Sequence, residues 1–316
     1  MKKRIWLLLL LIWMVLVCTG CRQQPPAGLV EETPQDARVI DAEPDDAASL
    51  QLDATLYFRY GDTALLRQES RQITMLPNET REKALVSALL EGSRDAASAA
   101  LFPEKTQVLA TQAQDGVIYI TFNEALYGSY ADESKLPEEA LLRRKLALAA
   151  LTATLTESGE YRSVQVLVRA EENVGRSMRL TTRFFGDAAE TVVPPLLRQQ
   201  EGLPTPAAYA RELLNAWQIR DWDALSSFVT ARSGSLQKLM TGEELGAAPV
   251  LTTFALYDGT VSPDGASAVV CADLYLRGAE DTETQWAAYP LRLINENGAW
   301  KIPAAQLKAM MGENDD

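Results

Sequence analysis

The sequence predicts an α+β protein of two successive modules, an α/β module and then a helix-plus-curved-antiparallel-sheet module. Three observations predict it. Between residues 54 and 186, short runs of strand composition alternate with helical stripes in the order β-α-β-β-α-β-(β). From 187 to 204 the pattern is interrupted by a stretch carrying Pro194, Pro195 and Pro204. From 205 to 308 two helical patterns come first, and after Thr241 strand patterns follow.

Folded structure is expected to begin at Ala54, where Ala54 to Tyr60 has strand composition and Gly61-Asp62 supplies a turn. A helix should start near Pro77. Asn78 is its expected cap, Glu79 and Glu82 suit its positive end, and Ala84, Leu85, Ala88 and Leu89 form a stripe that stops at Gly92. Thr106 to Ala113 and Val117 to Phe122 flank Asp115-Gly116, a hairpin signal, with Ile118, Ile120 and Phe122 on one face. Pro137 opens the longest periodic segment, in which Leu141, Leu148, Leu151 and Leu155 recur at helical spacing up to Ser158-Gly159. Its basic cluster Arg143-Arg144-Lys145 reads as a solvated helix face. Tyr161 to Val168 is the next strand, and Met178 to Phe184 is a candidate for another.

In the second module Ala207 to Ile219 is amphipathic and Trp222 to Val229 reads as a short helix. Strands are expected at Val250 to Asp258, Ala266 to Leu276, Gln285 to Asn295 and Trp300 to Ile302, with turns at Gly265 and Asn297-Gly298. Two aromatic groups stand out. Tyr57, Phe58, Tyr60, Tyr119 and Phe122 fall on strands expected to be neighbours, whereas Tyr209, Trp217, Trp222, Trp286, Tyr289 and Trp300 populate the second module. They are read as core, with an aromatic-lined ligand pocket as the alternative.

The N-terminal segment carries the sharpest signal. Lys2, Lys3 and Arg4 precede an apolar run from Ile5 to Val17, too short for a span of about 20 residues, and Cys18-Thr19-Gly20-Cys21 follows. Small residues before a cysteine resemble the bacterial lipobox, with Cys18 where Leu is usual. The expectation is a lipoprotein signal peptide at 1–20 and a lipidated Cys21 as first mature residue. Residues 21–53, rich in Pro, Ala, Asp and Glu, are expected to form a disordered linker, and 309–316 an acidic tail. The protein would then sit on the extracytoplasmic face of the cell membrane, anchored through lipid on Cys21.

Composition excludes several functions. Loss of residues 1–20 leaves 27 basic against 43 acidic residues, which argues against nucleic acid as a partner. Histidine is absent, so serine–histidine and cysteine–histidine catalysis and His-containing zinc sites are excluded. Cys271 is the one thiol left after processing, and its apolar neighbours suggest a small buried strand residue. Ser235-Leu236-Gln237-Lys238 matches a Ser-x-x-Lys nucleophile motif without the accompanying Lys-Thr-Gly. The acid pairs Asp221/Asp223 and Glu243/Glu244 read as solvated surface, and phosphate and calcium loops are missing from the pattern. No catalytic, metal or cofactor-binding residue is assigned.

Residues 54–186 resemble the GerMN domain of sporulation and spore germination. The resemblance rests on Leu56-Tyr57-Phe58, Leu89-Leu90-Glu91-Gly92-Ser93, Phe102 to Val108, Gly116 to Phe122 and the leucine-rich helix. The family's usual Asp-Ser in the hairpin strand is replaced by Thr121-Phe122. The resemblance implies a ring-building-like module that assembles envelope complexes, with no catalytic residue to carry over. Residues 205–308 are similar to NTF2-like domains, through Ala216 to Leu225 and Glu296 to Ile302. A non-enzymatic assembly lipoprotein of the Gram-positive envelope is the expectation, with envelope or sporulation proteins, peptidoglycan or a second copy as partners. A ligand-binding lipoprotein is the alternative, and a peptidoglycan-acting enzyme comes third.

Overall fold

The computed structural model describes residues 49–95, 98, 100–170, 176–199, 202–230, 240–278 and 281–312. The expected signal segment, Cys21 and Ser235 to Lys238 lie outside the described residues. A strand hairpin opens the fold, β1 (Leu50–Arg59) pairing antiparallel with β2 (Leu66–Met75) in an unshifted register. β1 thus starts four residues before the expected Ala54, because Leu52 lies opposite Ile73 and packs on the first core.

Helix α1 (Arg81–Glu91) follows, capped by the Thr80 hydroxyl on the Lys83 N–H rather than by Asn78, and closed at Gly92. β3 (Val108–Gln114) and β4 (Val117–Asn123) form the expected hairpin. Its turn residues, Asp115 and Gly116, both have positive φ, 53° and 74°. That is the combination a two-residue turn between twisted strands requires. Ile118, Ile120 and Phe122 of β4 are buried together as expected.

Helix α2 (Pro137–Thr156) carries the chain across to β5 (Ser163–Arg169), which pairs in parallel with β4. A helix is the usual crossover between parallel strands, and burying α2 against β1 and β5 places Leu148, Leu151 and Leu155 in the core. Leu141 is only half-buried. The expected strand at Met178 to Phe184 shrinks to β6 (Met178–Arg179), followed by a 3-10 turn at Thr182–Phe185 that turns Phe184 inward. A short β7 (Leu196–Leu197) also pairs with β5, so part of the proline-rich stretch is a sheet edge.

Strand order in this sheet is β3-β4-β5-β6. β1 and β2 form a separate sheet, so Tyr57, Phe58 and Tyr60 do not neighbour Tyr119 and Phe122 on adjacent strands.

In the second module α3 (Pro206–Gln218), α4 (Trp222–Ser227) and α5 (Gly242–Ala247) precede the sheet. α5 is absent from the sequence expectation; Thr241 and Glu244 form its capping box. Strands β8 (Val250–Leu256), β9 (Thr260–Val261), β10 (Ser267–Arg277), β11 (Glu283–Glu296) and β12 (Ala299–Lys301) build one antiparallel sheet in the order β12-β11-β10-β8, with β9 also on β10. Register shifts in β10 against β11 and β8 curl it. A last helix, α6 (Ala304–Met310), buries Leu307 and Met310.

α3 turns Leu213, Leu214 and Trp217 onto the buried face of this sheet, where Val270, Leu274, Leu291 and Leu293 meet them. The Trp217 indole N–H donates to the Pro249 carbonyl at 3.1 Å. The hairpin loop before β2 joins this second core. Leu65 is buried in it, and the Tyr60 ring lies 5.2 Å from Tyr209 and 5.8 Å from Phe228. Tyr209, Trp217 and Trp300 are therefore core residues, whereas Trp286 and Tyr289 stack 5.2 Å apart and stay half-buried.

Candidate functional site

The described residues that gather polar groups into a recess lie on β2. Its inner face carries Arg67, Glu69 and Arg71 at alternate positions, where a strand over a helix usually carries apolar residues. Arg71 reaches the end of α1. Its guanidinium donates to the Ala88 carbonyl and, at 3.1 Å, to the Gly92 carbonyl, which satisfies orphan acceptors of the last turn. The Phe58 ring lies beneath it, 5.7 Å from the guanidinium carbon.

The Glu69 carboxylate accepts from the Ser93 hydroxyl at 2.7 Å, from Arg67 at 3.3 Å and from the Arg94 backbone N–H at 3.3 Å. Arg67 completes the cluster with Asp95 at 3.0 Å. Only 9% exposed, it leaves its Nε without a partner among the described residues.

Two recesses flank these residues. One of about 580 Å³ is lined by Arg67 to Ser70, Arg94, Asp95 and the Asn295, Asn297 and Gly298 side of the second module. The other, about 700 Å³, lies between β2 and α1, and Arg94 lines both. The Asn297-Gly298 turn presses on the strand here, and the Gly298 carbonyl accepts the Gln68 N–H at 3.3 Å.

A second ionic cluster sits at the start of α2. Glu139 accepts from Arg59 and, at 2.9 Å, from Arg143, and Arg143 also holds Asp132 at 2.8 Å. Burial alone would raise the Glu139 pKa, but the hydrogen bonds from Arg59 and Arg143 bring it below the ordinary carboxylate value. Arg144 is 5% exposed, lies over the Tyr130 and Phe184 rings at 5.1 and 5.2 Å, and pairs with Glu133 at 2.9 Å. The expected solvated basic face is thus corrected. Only Lys145 of the three points outward, because rings of the loop at Tyr130 and of the 3-10 turn close over Arg144.

A third recess, about 260 Å³ and mostly apolar, lies between α2 and Leu196 to Gln199 with Leu203. Arg198 straps it, donating to the Ala153 carbonyl at 2.8 Å and to Glu157 at 2.7 Å. Burial first, then Glu157, pushes the Tyr57 hydroxyl beside it up to about 12.

The other residues singled out in the sequence have plain local roles. Asp221 caps α4 and Glu244 belongs to the α5 capping box. Cys271 is half-buried, not buried. β10 turns Val270 and Ala272 into the core and Cys271 to the opposite face, across from Pro290. Among the described residues no three His, Cys, Asp or Glu side chains are placed to hold a metal, and no helix is long and apolar enough to cross a membrane. The charged alternation on β2, invisible as a strand signal in the sequence, is what marks the candidate site.

The first module has a counterpart among known families. Residues 55–173 match the family model Germane, described as sporulation and spore germination. That match covers the described module from β1 through β5 and less than half of the chain. Among solved structures, the tandem GerMN domains of the sporulation protein GerM from Bacillus subtilis align at 14% identity and a TM-score of 0.32, over 47% of this chain and 46% of that one. The first GerMN domain of the same protein aligns at 15% and 0.29, over 46% and 96%. A putative lipoprotein from Clostridium perfringens aligns at 22% and 0.24, over 37% and 74%. The chain spans less than half the length of the tandem GerMN structure it matches. No curated protein matches the chain.

Proposed function

We propose that this protein is a non-catalytic interaction module of the Gram-positive cell envelope, held at the extracytoplasmic face of the membrane by lipid on Cys21 and working in sporulation or spore germination. The observation that carries the proposal is the Germane match over residues 55–173. The Lys2-Lys3-Arg4 start, the short apolar run and the Gly20-Cys21 junction support the anchor. The second module, read as NTF2-like, serves in partner binding or dimerisation, since Trp217, Leu213 and Leu214 occupy the buried face of its sheet. Glu133 and Glu139 are committed to arginines and Glu244 to a helix cap, which favours a structural role for them over acid–base chemistry.

The test is fatty-acid labelling and crosslinking in a Gram-positive host, comparing wild type with Cys21→Ala. Incorporation of label at Cys21, with capture of envelope or sporulation proteins that depends on it, is the expected result. Absence of label on the wild type would overturn the anchor. Labelling with background capture alone would overturn the assembly role.

A further inference from the structure

We propose that the outer edge of β2 is the docking edge for a second copy of this chain, joined by a two-fold axis through Gln72. This rests on the reading of the protein as an interaction module and names the surface.

In the antiparallel ladder with β1, alternate residues of β2 turn their backbone groups away from the hairpin. Leu66 and Gln68 show which ones, since their N–H groups donate outward to the Gly202 and Gly298 carbonyls. Ser70, Gln72 and Thr74 therefore also face outward, and their backbone groups have no backbone partner among the described residues. The open stretch is bounded by the Gly298 turn at Gln68 and by the strand end at Met75. Edge strands are ordinarily protected by a proline, a lysine, a bulge or an inward-pointing charge. Of these the open stretch carries only the inward Arg71, whose guanidinium is held by the Ala88 and Gly92 carbonyls and so does not resist a neighbouring strand. This one has an unshifted register, and its solvent-facing side chains Ser70, Gln72 and Thr74 are exposed and uncharged.

The open stretch is centred on Gln72, so a two-fold there matches all of it with itself. Gln72 would pair with Gln72 of the second copy, and Ser70 with its Thr74, giving about six ladder hydrogen bonds. The helices agree with this placement. α1 packs over both β1 and β2, and its Ala84, Ser87, Ala88 and Glu91 line the 700 Å³ groove beside the open edge. With strands about 4.8 Å apart, the second copy's α1 would lie roughly 10 Å from the first, a normal helix-packing distance. The Arg71 bond to the Ala88 carbonyl puts the crossing near Ser87, where the side chains are small. Charge is matched as well. Arg94 lines the groove at the Ser70 end and Glu79 at the Thr74 end, so the axis brings Arg94 of each copy toward Glu79 of the other.

The experiment measures the mass of the full-length chain in detergent by sedimentation. Wild type is expected to dimerise reversibly, and Gln72→Lys to weaken the dimer at least tenfold while keeping the thermal midpoint at dilutions where both are monomers, since Asp53 lies opposite on β1 to receive the ammonium. Glu79→Arg should also weaken it, and Glu79→Arg with Arg94→Glu should restore it. Gln72→Cys should give a disulfide-linked dimer through position 72, faster than Thr253→Cys on the other sheet. A monomeric wild type, a dimer indifferent to Gln72→Lys, or capture of another protein's strand at this edge would each overturn the proposal. None of these outcomes touches Cys21 labelling, so the anchor and the dimer fail separately.

Discussion

Gly298 and Gln68 are in backbone contact. A Cβ built on Gly298 would lie 1.8 Å from the Gln68 carbonyl oxygen, and the glycine itself has φ +80°. Both facts point the same way, since the left-handed conformation and the close approach each call for a residue without a side chain. The turn that ends the second module's long hairpin is thereby seated on the first module's second strand.

Gly298→Ala is accordingly expected to destabilise the protein by about 2 kcal/mol or more, through strain and displacement of the turn. A urea unfolding midpoint reads the loss. An unchanged midpoint would mean that the turn does not bear on β2 in solution.

Arg144 is a buried cation whose loss removes the ion-pair partner of Glu133 and leaves that carboxylate the Tyr130 N–H, and Glu133 is only partly exposed. Arg144→Met should cost about 2–3 kcal/mol, below the full penalty of a wholly buried pair. Adding Glu133→Gln should return part of it, so the two changes together cost less than their sum. Strict additivity in that double-mutant cycle would show that the pair is not formed.

Acid stability follows from Glu139. Its folded pKa lies below the ordinary value, through Arg59 and Arg143 acting against burial, so its contribution is present at neutral pH and is lost as pH falls below about 4.5. The unfolding midpoint should drop across that window, and Glu139→Gln should flatten the drop. An equal slope in the variant would remove Glu139 as a cause.

At high pH the sign reverses. Burial raises the Tyr57, Tyr60 and Tyr130 hydroxyls to about 12, so stability is complete below pH 10 and declines from about 10 to 12 as the unfolded chain ionises first. Ultraviolet titration should show a late tyrosinate class near pH 12 in the folded protein. A single transition near 10 would contradict their burial.

Cys271 faces away from the core, opposite Pro290, and is half-buried. Peptide mapping after brief treatment of the folded protein with a small maleimide should find it modified, where a core thiol would need unfolding first. Protection until the unfolding transition would place it inside.

How much of this was legible in the sequence depended on where the apolar residues lie. β4 and α2 declare themselves because Ile118, Ile120 and Phe122 repeat every second residue and Leu148, Leu151 and Leu155 at helical spacing. β2 escaped detection because its helix-facing positions are Arg67, Glu69 and Arg71, so both faces read as polar. The candidate site was hidden for the same reason. Its charges neutralise one another at short range, and sequence spacing does not show that Ser93 and Asp95 fold back onto the strand. Arg144 was misplaced because burial of its guanidinium depends on Tyr130 and Phe184, the second of them forty residues away.

The seat of Gly298 on Gln68 also bears on how the chain is made. Gln68 leaves the ribosome more than two hundred residues before the turn that covers it. Until then the Gln68 N–H is open, and the uncovered edge of β2 is longer than in the finished molecule. A chain truncated before Asn297 would keep that longer edge, and would be stickier toward strand-forming partners than the complete protein.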